Sequence, residues 1–175
     1  MGHLLEYSGI VTKTRAMESR LLSPGQFQEL ASLHTIPEAV EYLKKNTAYA
    51  ETLESLEPTQ LHRGNIEKLL TQSLYRDYTK LYRFCGQKQR KFMELRLKSY
   101  EIDLIDYCLR IVINHYKRPF DLHYKKEFFD RYSQLSIDRL ITSRTTDELV
   151  DNLKGTEYYD CLLYTSDAAD DLIGV

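Results

Sequence analysis

Apolar residues recur along most of this chain at steps of three and four, the spacing of one face of an α-helix. Tyr7, Ile10, Thr14, Met17 and Leu21 form the first such stripe, while Lys13, Arg15, Glu18 and Arg20 lie largely off it. The pattern predicts one long amphipathic helix near the N-terminus. Ser23-Pro24-Gly25-Gln26 then reads as a fresh helix start: Ser23 caps, Pro24 suits the first helical position and Gln26 closes the box. Thr35-Ile36-Pro37-Glu38 repeats that logic, with Thr35 as cap and Glu38 reaching back. Glu57-Pro58 opens a longer segment whose stripe is Ile66, Leu70, Leu74, Tyr78 and Leu81, interrupted at Gly86. Lys88 to about Asn114 is the longest candidate, roughly 40 Å at 1.5 Å per residue. It carries two adjacent stripes, Met93, Leu97, Tyr100, Leu104, Cys108 and Ile111 beside Ile102, Ile105, Leu109 and Val112. A face that wide implies contact with more than one partner helix. Arg118-Pro119 ends the run. No segment alternates strictly, so the expected fold class is all-α.

One stretch occurs twice. Thr35-Ile36-Pro37-Glu38-Ala39-Val40-Glu41-Tyr42-Leu43-Lys44 aligns with Thr145-Thr146-Asp147-Glu148-Leu149-Val150-Asp151-Asn152-Leu153-Lys154, 110 residues later. After a gap of one residue, Thr47-x-Tyr49 aligns with Thr156-x-Tyr158. In both copies Thr caps, Glu closes the box and Val and Leu face a core. A period of that size is a domain, longer than a solenoid repeat of about 20–50 residues. The expected organisation is therefore repeated helical-bundle units: a complete one over 1–116 and the truncated start of a second over 117–160.

Composition narrows the class. Of 175 residues, 42% are hydrophobic and 29% charged, enough for a water-facing body with a core. No apolar run approaches the roughly 18 residues of a membrane span, and no secretory signal is read at the N-terminus. Cys85, Cys108 and Cys161 are too few and too scattered for a disulfide framework and fit a reducing cytosol. The formal net charge of −2 gives no general attraction for nucleic acid. Residues 161–175, CLLYTSDAADDLIGV, resemble the translated read-through of a sequencing-library adapter. Without Asp167, Asp170 and Asp171 the net charge moves from −2 to +1, still near neutral.

Signatures of chemistry are missing from the sequence. No GxxxxGK[ST] loop cradles a phosphate, and His3, His34, His62, His115 and His123 make no HExxH pair. Cys108 and His115 have no common zinc spacing, and Cys108 on its apolar stripe reads as core. His62, Arg63 and Glu67 read as a solvated helix start. No catalytic, cofactor-binding or metal-ligating residue is assigned. The sharpest remaining signal is basic: Arg76, Lys80, Arg83, Lys88, Arg90, Lys91, Arg96 and Lys98, interleaved with Tyr75, Tyr78, Tyr82 and Phe92. It reads first as a solvated helix pair with core tyrosines, then as a protein or membrane-surface interface, and last as a nucleic-acid site.

Three motifs in order resemble the C/d family of V-type ATPase subunits. They are Thr12-Lys13-Thr14-Arg15-Ala16-Met17-Glu18-Ser19-Arg20-Leu21-Leu22, the capped helix ending Leu43…Thr47-Ala48-Tyr49, and Tyr100-Glu101-Ile102-Asp103…Leu109-Arg110. The resemblance covers roughly residues 5–160, about half of a full family member, and departs at Leu104-Ile105, where a more polar pair is expected. It implies a non-catalytic central-stalk rotor component that couples the rotating shaft to the membrane rotor ring during ATP-linked proton or sodium transport. The implied partners are the shaft and the ring, with no cofactor and no nucleic acid. The implied place is the cytoplasmic face of the membrane, touched only peripherally through the ring. Lys13, Arg15 and Arg20 are then candidates to meet an acidic partner surface, and Glu101 and Asp103 a basic one. A free-standing helical adaptor or scaffold, and a basic nucleic-acid-binding helical protein, are the alternatives. A chain ending at Asp160 is expected to expose a cut core and to be poorly soluble alone. Size-exclusion chromatography checks this: aggregation is the expected outcome, and a monodisperse, cooperatively melting species the contrary one.

Overall fold

The computed structural model describes residues 2–116 and 121–164. Among them the elements are α1 (Gly2–Glu18), α2 (Pro24–Ser32), α3 (Ile36–Asn46), α4 (Ala50–Leu53), α5 (Arg63–Phe84), α6 (Gln87–Ile113), α7 (His123–Tyr132), α8 (Ile137–Leu140) and α9 (Thr146–Asp151). Residues 158–164 are again helical. No strand occurs among the described residues, so the fold is all-α as its periodicity predicts. The chain divides into two compact units, Met1–Lys91 and Phe92–Val175, and the division falls inside α6. The expected boundary at 116–117 adjoins residues 117–120, outside those described. Arg118-Pro119 and most of the adapter-like segment, 165–175, lie outside them too.

In unit 1 the predicted helix starts form. Ser23 Oγ accepts the Gln26 N–H at 3.3 Å, and the Gln26 side chain accepts the Ser23 N–H at 2.9 Å. Thr35 and Glu38 make the same reciprocal pair at 3.3 and 3.1 Å. Such caps are each worth about 1 kcal/mol. The third predicted start shifts. Pro58–Gln60 is a separate 3-10 turn, and α5 begins only at Arg63, capped by His62, whose Nδ1 accepts the Gly64 N–H at 3.0 Å. Arg63 pairs with Glu67 at 2.6 Å in solvent, which accounts for that cluster as a helix start.

The stripes of unit 1 are only partly covered. α1 packs on α5; Ile10 and Met17 are half-buried there and Tyr7 is exposed. Leu21 lies beyond the end of α1 and is exposed. On α5, Leu74 is exposed, and the residues that reach the core are Tyr75 and Tyr78. Val40, Leu43, Leu53, Leu56 and Cys85 complete that core.

Unit 2 is drier. Among the largest fully buried side chains of the described residues, only Leu53 belongs to unit 1; Leu104, Cys108, Leu122, Phe129, Ile137, Leu140, Leu149 and Leu153 belong to unit 2. The first α6 stripe supplies Leu97, Leu104 and Cys108, and Phe128 on α7 meets Tyr100 edge-on with centroids 6.1 Å apart. The second stripe is split: Ile105 and Val112 are buried, while Ile102 is exposed. Leu104-Ile105, the departure from the family pattern, is thus a core pair. α6 stops before Arg118-Pro119. His115 adopts φ 50°, the Tyr116 N–H bonds the Ile111 carbonyl, and the His115 N–H bonds the Val112 carbonyl. That is a left-handed helix stop, usually built on glycine.

The duplicated motif is duplicated in its hydrogen bonds. Thr145 Oγ1 accepts the Glu148 N–H at 3.2 Å, and Glu148 reaches back to the Arg144 N–H at 2.8 Å, as Glu38 does to His34 at 3.1 Å. Thr47 Oγ1 donates to the Leu43 carbonyl at 2.6 Å, and Thr156 Oγ1 to the equivalent Leu153 carbonyl at 2.7 Å. The second copy manages this one residue shorter. α3 continues to Asn46, whereas α9 stops at Asp151 and Gly155 takes φ +86°. A left-handed step there returns Thr156 to Leu153. A Cβ at Gly155 would meet nothing within 4 Å, so Gly155→Ala isolates the backbone penalty. It is expected to cost about 1–2 kcal/mol, read as a lower urea midpoint at unchanged m-value.

Candidate functional site

The most developed polar arrangement belongs to unit 2 and is built around α6. Helical geometry puts Glu101 on the same face as Leu97, Leu104 and Cys108, so its carboxylate enters the core side, with 7% of the residue exposed. A charge placed there needs donors. Two arrive from elements distant in sequence. Ser133, at the C-terminal cap of α7, donates its hydroxyl to one oxygen. Tyr158 donates its hydroxyl to the other at 2.7 Å. Ser133 Oγ also accepts the Leu135 N–H at 2.9 Å, so a backbone donor polarises the hydroxyl that serves the carboxylate. Thr156 Oγ1 accepts the Tyr158 N–H at 3.3 Å and fixes the tyrosine's approach.

These groups line a cleft of about 360 Å³. Lys98 and Glu157 pair on its lining at 2.6 Å, both about half exposed. Burial, and then the bond to Glu101, push the Tyr158 phenol well above its ordinary value. The carboxylate is fully engaged by hydroxyls, and the phenol beside it is held neutral. The arrangement is equipped to hold three chain segments together. Deeper in the same unit, burial pushes the Cys108 thiol up to about 12, against a small opposing pull from Lys125. Such a thiol is inert, in line with its reading as core. Among the described residues no group of His, Cys, Asp and Glu is placed to hold a metal ion.

The candidate interface residues are dispersed. Arg15 and Arg20 are exposed in unit 1. Arg20 lines a shallow depression of about 340 Å³ with Gln26 and Lys45. Lys13 is half-buried, its ammonium 5.1 Å from the centroid of the Phe84 ring. In unit 2, Asp103 is exposed, and its charge partly offsets the burial that lowers the pKa of Lys125. Glu101 points inward, two residues and a half-turn away from Asp103, and its oxygens are taken by Ser133 and Tyr158. Sequence reasoning found Glu101 but not its partners. Ser133 carries no motif; Tyr158 was signalled by the duplicated Thr-x-Tyr, without indication of what it binds.

The basic aromatic segment is largely structural. Tyr75 and Tyr78 are buried. Arg76 bonds the Thr52 hydroxyl at 3.1 Å, Lys80 pairs with Asp77 at 3.0 Å, and Arg96 stacks on Tyr100 at 5.0 Å.

Residues 10–171 match the family described as ATP synthase (C/AC39) subunit. The matched span therefore overlaps the segment that resembles adapter read-through. The C subunit of an A-type ATP synthase from Pyrococcus horikoshii is 30% identical over 155 residues, covering 87% of this chain and 39% of the relative. The corresponding A-type ATP synthase C subunit of Thermococcus kodakarensis is 25% identical over 154 residues, covering 87% and 40%. The chain thus spans about two fifths of the length of these curated relatives. No solved structure matches.

The Glu101 cluster makes two linked expectations. Tyr158→Phe leaves one carboxylate oxygen without its phenol and lowers stability by about 1–2 kcal/mol in denaturant titration. A phenol whose ionisation is pushed up on folding favours the native state while neutral. Its contribution is whole below pH 10.0, the ordinary tyrosine value, and is lost as pH rises beyond that. The stability gap between wild type and Tyr158→Phe should therefore be constant to about pH 10 and narrow above it. A gap that widens in alkali contradicts the assignment.

Proposed function

Since the chain belongs to the ATP synthase (C/AC39) subunit family, we propose that it forms part of a non-catalytic central-stalk body that couples a rotating shaft to a membrane rotor ring during ATP-linked proton or sodium transport. The match over residues 10–171, together with the likeness to two A-type ATP synthase C subunits, carries the reading. The physics of the elements supports it. Torque transmission asks for stiffness and surfaces, and densely packed helices supply the first. α6 runs 27 residues, roughly 40 Å, without a proline or glycine to kink it. The Glu101 cluster ties its unit-2 portion to the Ser133 and Tyr158 segments. No described helix is long and apolar enough to cross a membrane, which suits a body held peripherally, at the cytoplasmic face, by its protein partners.

Arg15 and Arg20, with Lys13 behind them on the Phe84 ring, are proposed to face an acidic partner surface, and Asp103 a basic one. Glu101 is given no partner-facing role, because its charge is already answered inside unit 2.

Purification of the membrane-bound ATPase from cells carrying a tagged full-length protein tests the proposal. Co-purification with the shaft proteins is expected. An intact, active complex recovered without the protein would overturn the reading. Arg15→Glu with Arg20→Glu should lower its recovery several-fold, since an exposed pair contributes about 0.2–1 kcal/mol.

A further inference from the structure

Between Asp77 and Glu94 the chain contains five basic residues and no acidic one. Four of the five, Arg83, Lys88, Arg90 and Lys91, crowd the elbow where α5 ends at Phe84 and α6 begins at Gln87. Arg83, Lys88, Arg90 and Lys91 are all exposed. The elbow is anchored from within: Cys85 is buried, and Arg90 holds the Cys85 carbonyl at 3.2 Å while stacking on Tyr82 at 5.1 Å. Phe84 projects outward, 55% exposed, with the ammonium of Lys13 from α1 5.1 Å from its ring centroid. In unit 1 the exposed Phe84 ring therefore shares the elbow with these basic residues, and Phe92, 70% exposed, follows Lys91 at the start of unit 2.

We propose that this α5–α6 elbow is a contact site for an anionic lipid bilayer surface, with Arg83, Lys88, Arg90, Lys91 and Lys13 meeting anionic headgroups and Phe84 entering the boundary between headgroups and acyl chains. Charge complementarity is joined here to the exposed apolar ring of Phe84. Clustered basic residues on helices are drawn to anionic membranes, each worth about five-fold in affinity, and aromatic rings lodge at the interface beneath them. A nucleic-acid strand fits less well. It needs several rings for successive bases along a basic groove. Here Tyr75 and Tyr78 are buried, Tyr82 is covered by Arg90, the exposed Phe92 belongs to unit 2, and acids close the cluster at both ends. Apart from Lys13, which it shares with the surface proposed to face protein partners, the site stands independently of the coupling role.

The absence of tryptophan from the chain makes the test site-specific. In the full 175-residue chain, Phe84→Trp places a sole tryptophan at the elbow. Its emission should shift to the blue with phosphatidylcholine vesicles containing a third phosphatidylserine, and not with pure phosphatidylcholine. Raising the salt should reverse the shift. Sedimentation of the otherwise unchanged chain with the anionic vesicles should weaken at least about 30-fold in Lys88→Glu/Lys91→Glu, with its circular dichroism unaltered. Three results would overturn the proposal: no binding to anionic vesicles at low salt, equal binding to neutral ones, or tighter binding to a single-stranded oligonucleotide than to the vesicles.

Discussion

Glu101 brings a carboxylate into a layer of leucines, and much of unit 2 is arranged to answer it. The helix that carries it supplies none of the donors seen. They come from Ser133 at the end of α7 and from Tyr158 at the start of residues 158–164. Apolar packing alone is directionless and tolerates sliding. A carboxylate with two oxygens and two hydroxyls does not, because a shift of an ångström or so leaves a buried charge poorly bonded. Leu97, Leu104, Phe129 and Leu153 provide the bulk of the burial, and the polar triad sets which segments lie opposite which. Buried polar groups used this way give up some stability for a defined arrangement.

What the sequence made legible was local. Cap chemistry at Ser23, Thr35 and Thr145 depends on residues three apart, and each cap formed. The length of α6 and the burial of Cys108 follow from period and composition, and both were met. Exposure was less legible because it depends on how many neighbours a helix finds. Tyr7 and Leu74 sit on regular stripes, yet unit 1 covers them poorly. Glu57-Pro58 looked like a helix start, but the backbone spends Pro58–Gln60 on a tight turn and leaves the capping to His62, a residue type seldom read that way. Glu101, a candidate to meet a basic partner surface, instead turns into the core of unit 2. Its partners lie 32 and 57 residues away, beyond any local pattern.

The two compact units use the same motif for different ends. In unit 1, Thr35, Glu38 and Thr47 organise a short helix beside a modest, tyrosine-containing core. In unit 2 the matching residues sit against a drier core, and the terminal tyrosine of the motif has become a ligand of the central carboxylate. A subunit of an ATP synthase can draw on both qualities. A firmly specified segment preserves geometry under load, and a less covered one retains apolar surface for neighbours.

The single residue missing between Thr145 and Thr156 has a consequence for how the two segments relate. An added or removed residue in a helix turns everything after it by about 100°. Gly155 absorbs that rotation in one left-handed step, so Tyr158 still arrives at Glu101. The two stretches are therefore alike in chemistry but no longer interchangeable parts. Grafting the longer first stretch in place of the second would keep every cap and every apolar position, yet turn the tyrosine away from the carboxylate it serves. The contrast between them lies less in the residues they share than in the one residue by which their lengths differ.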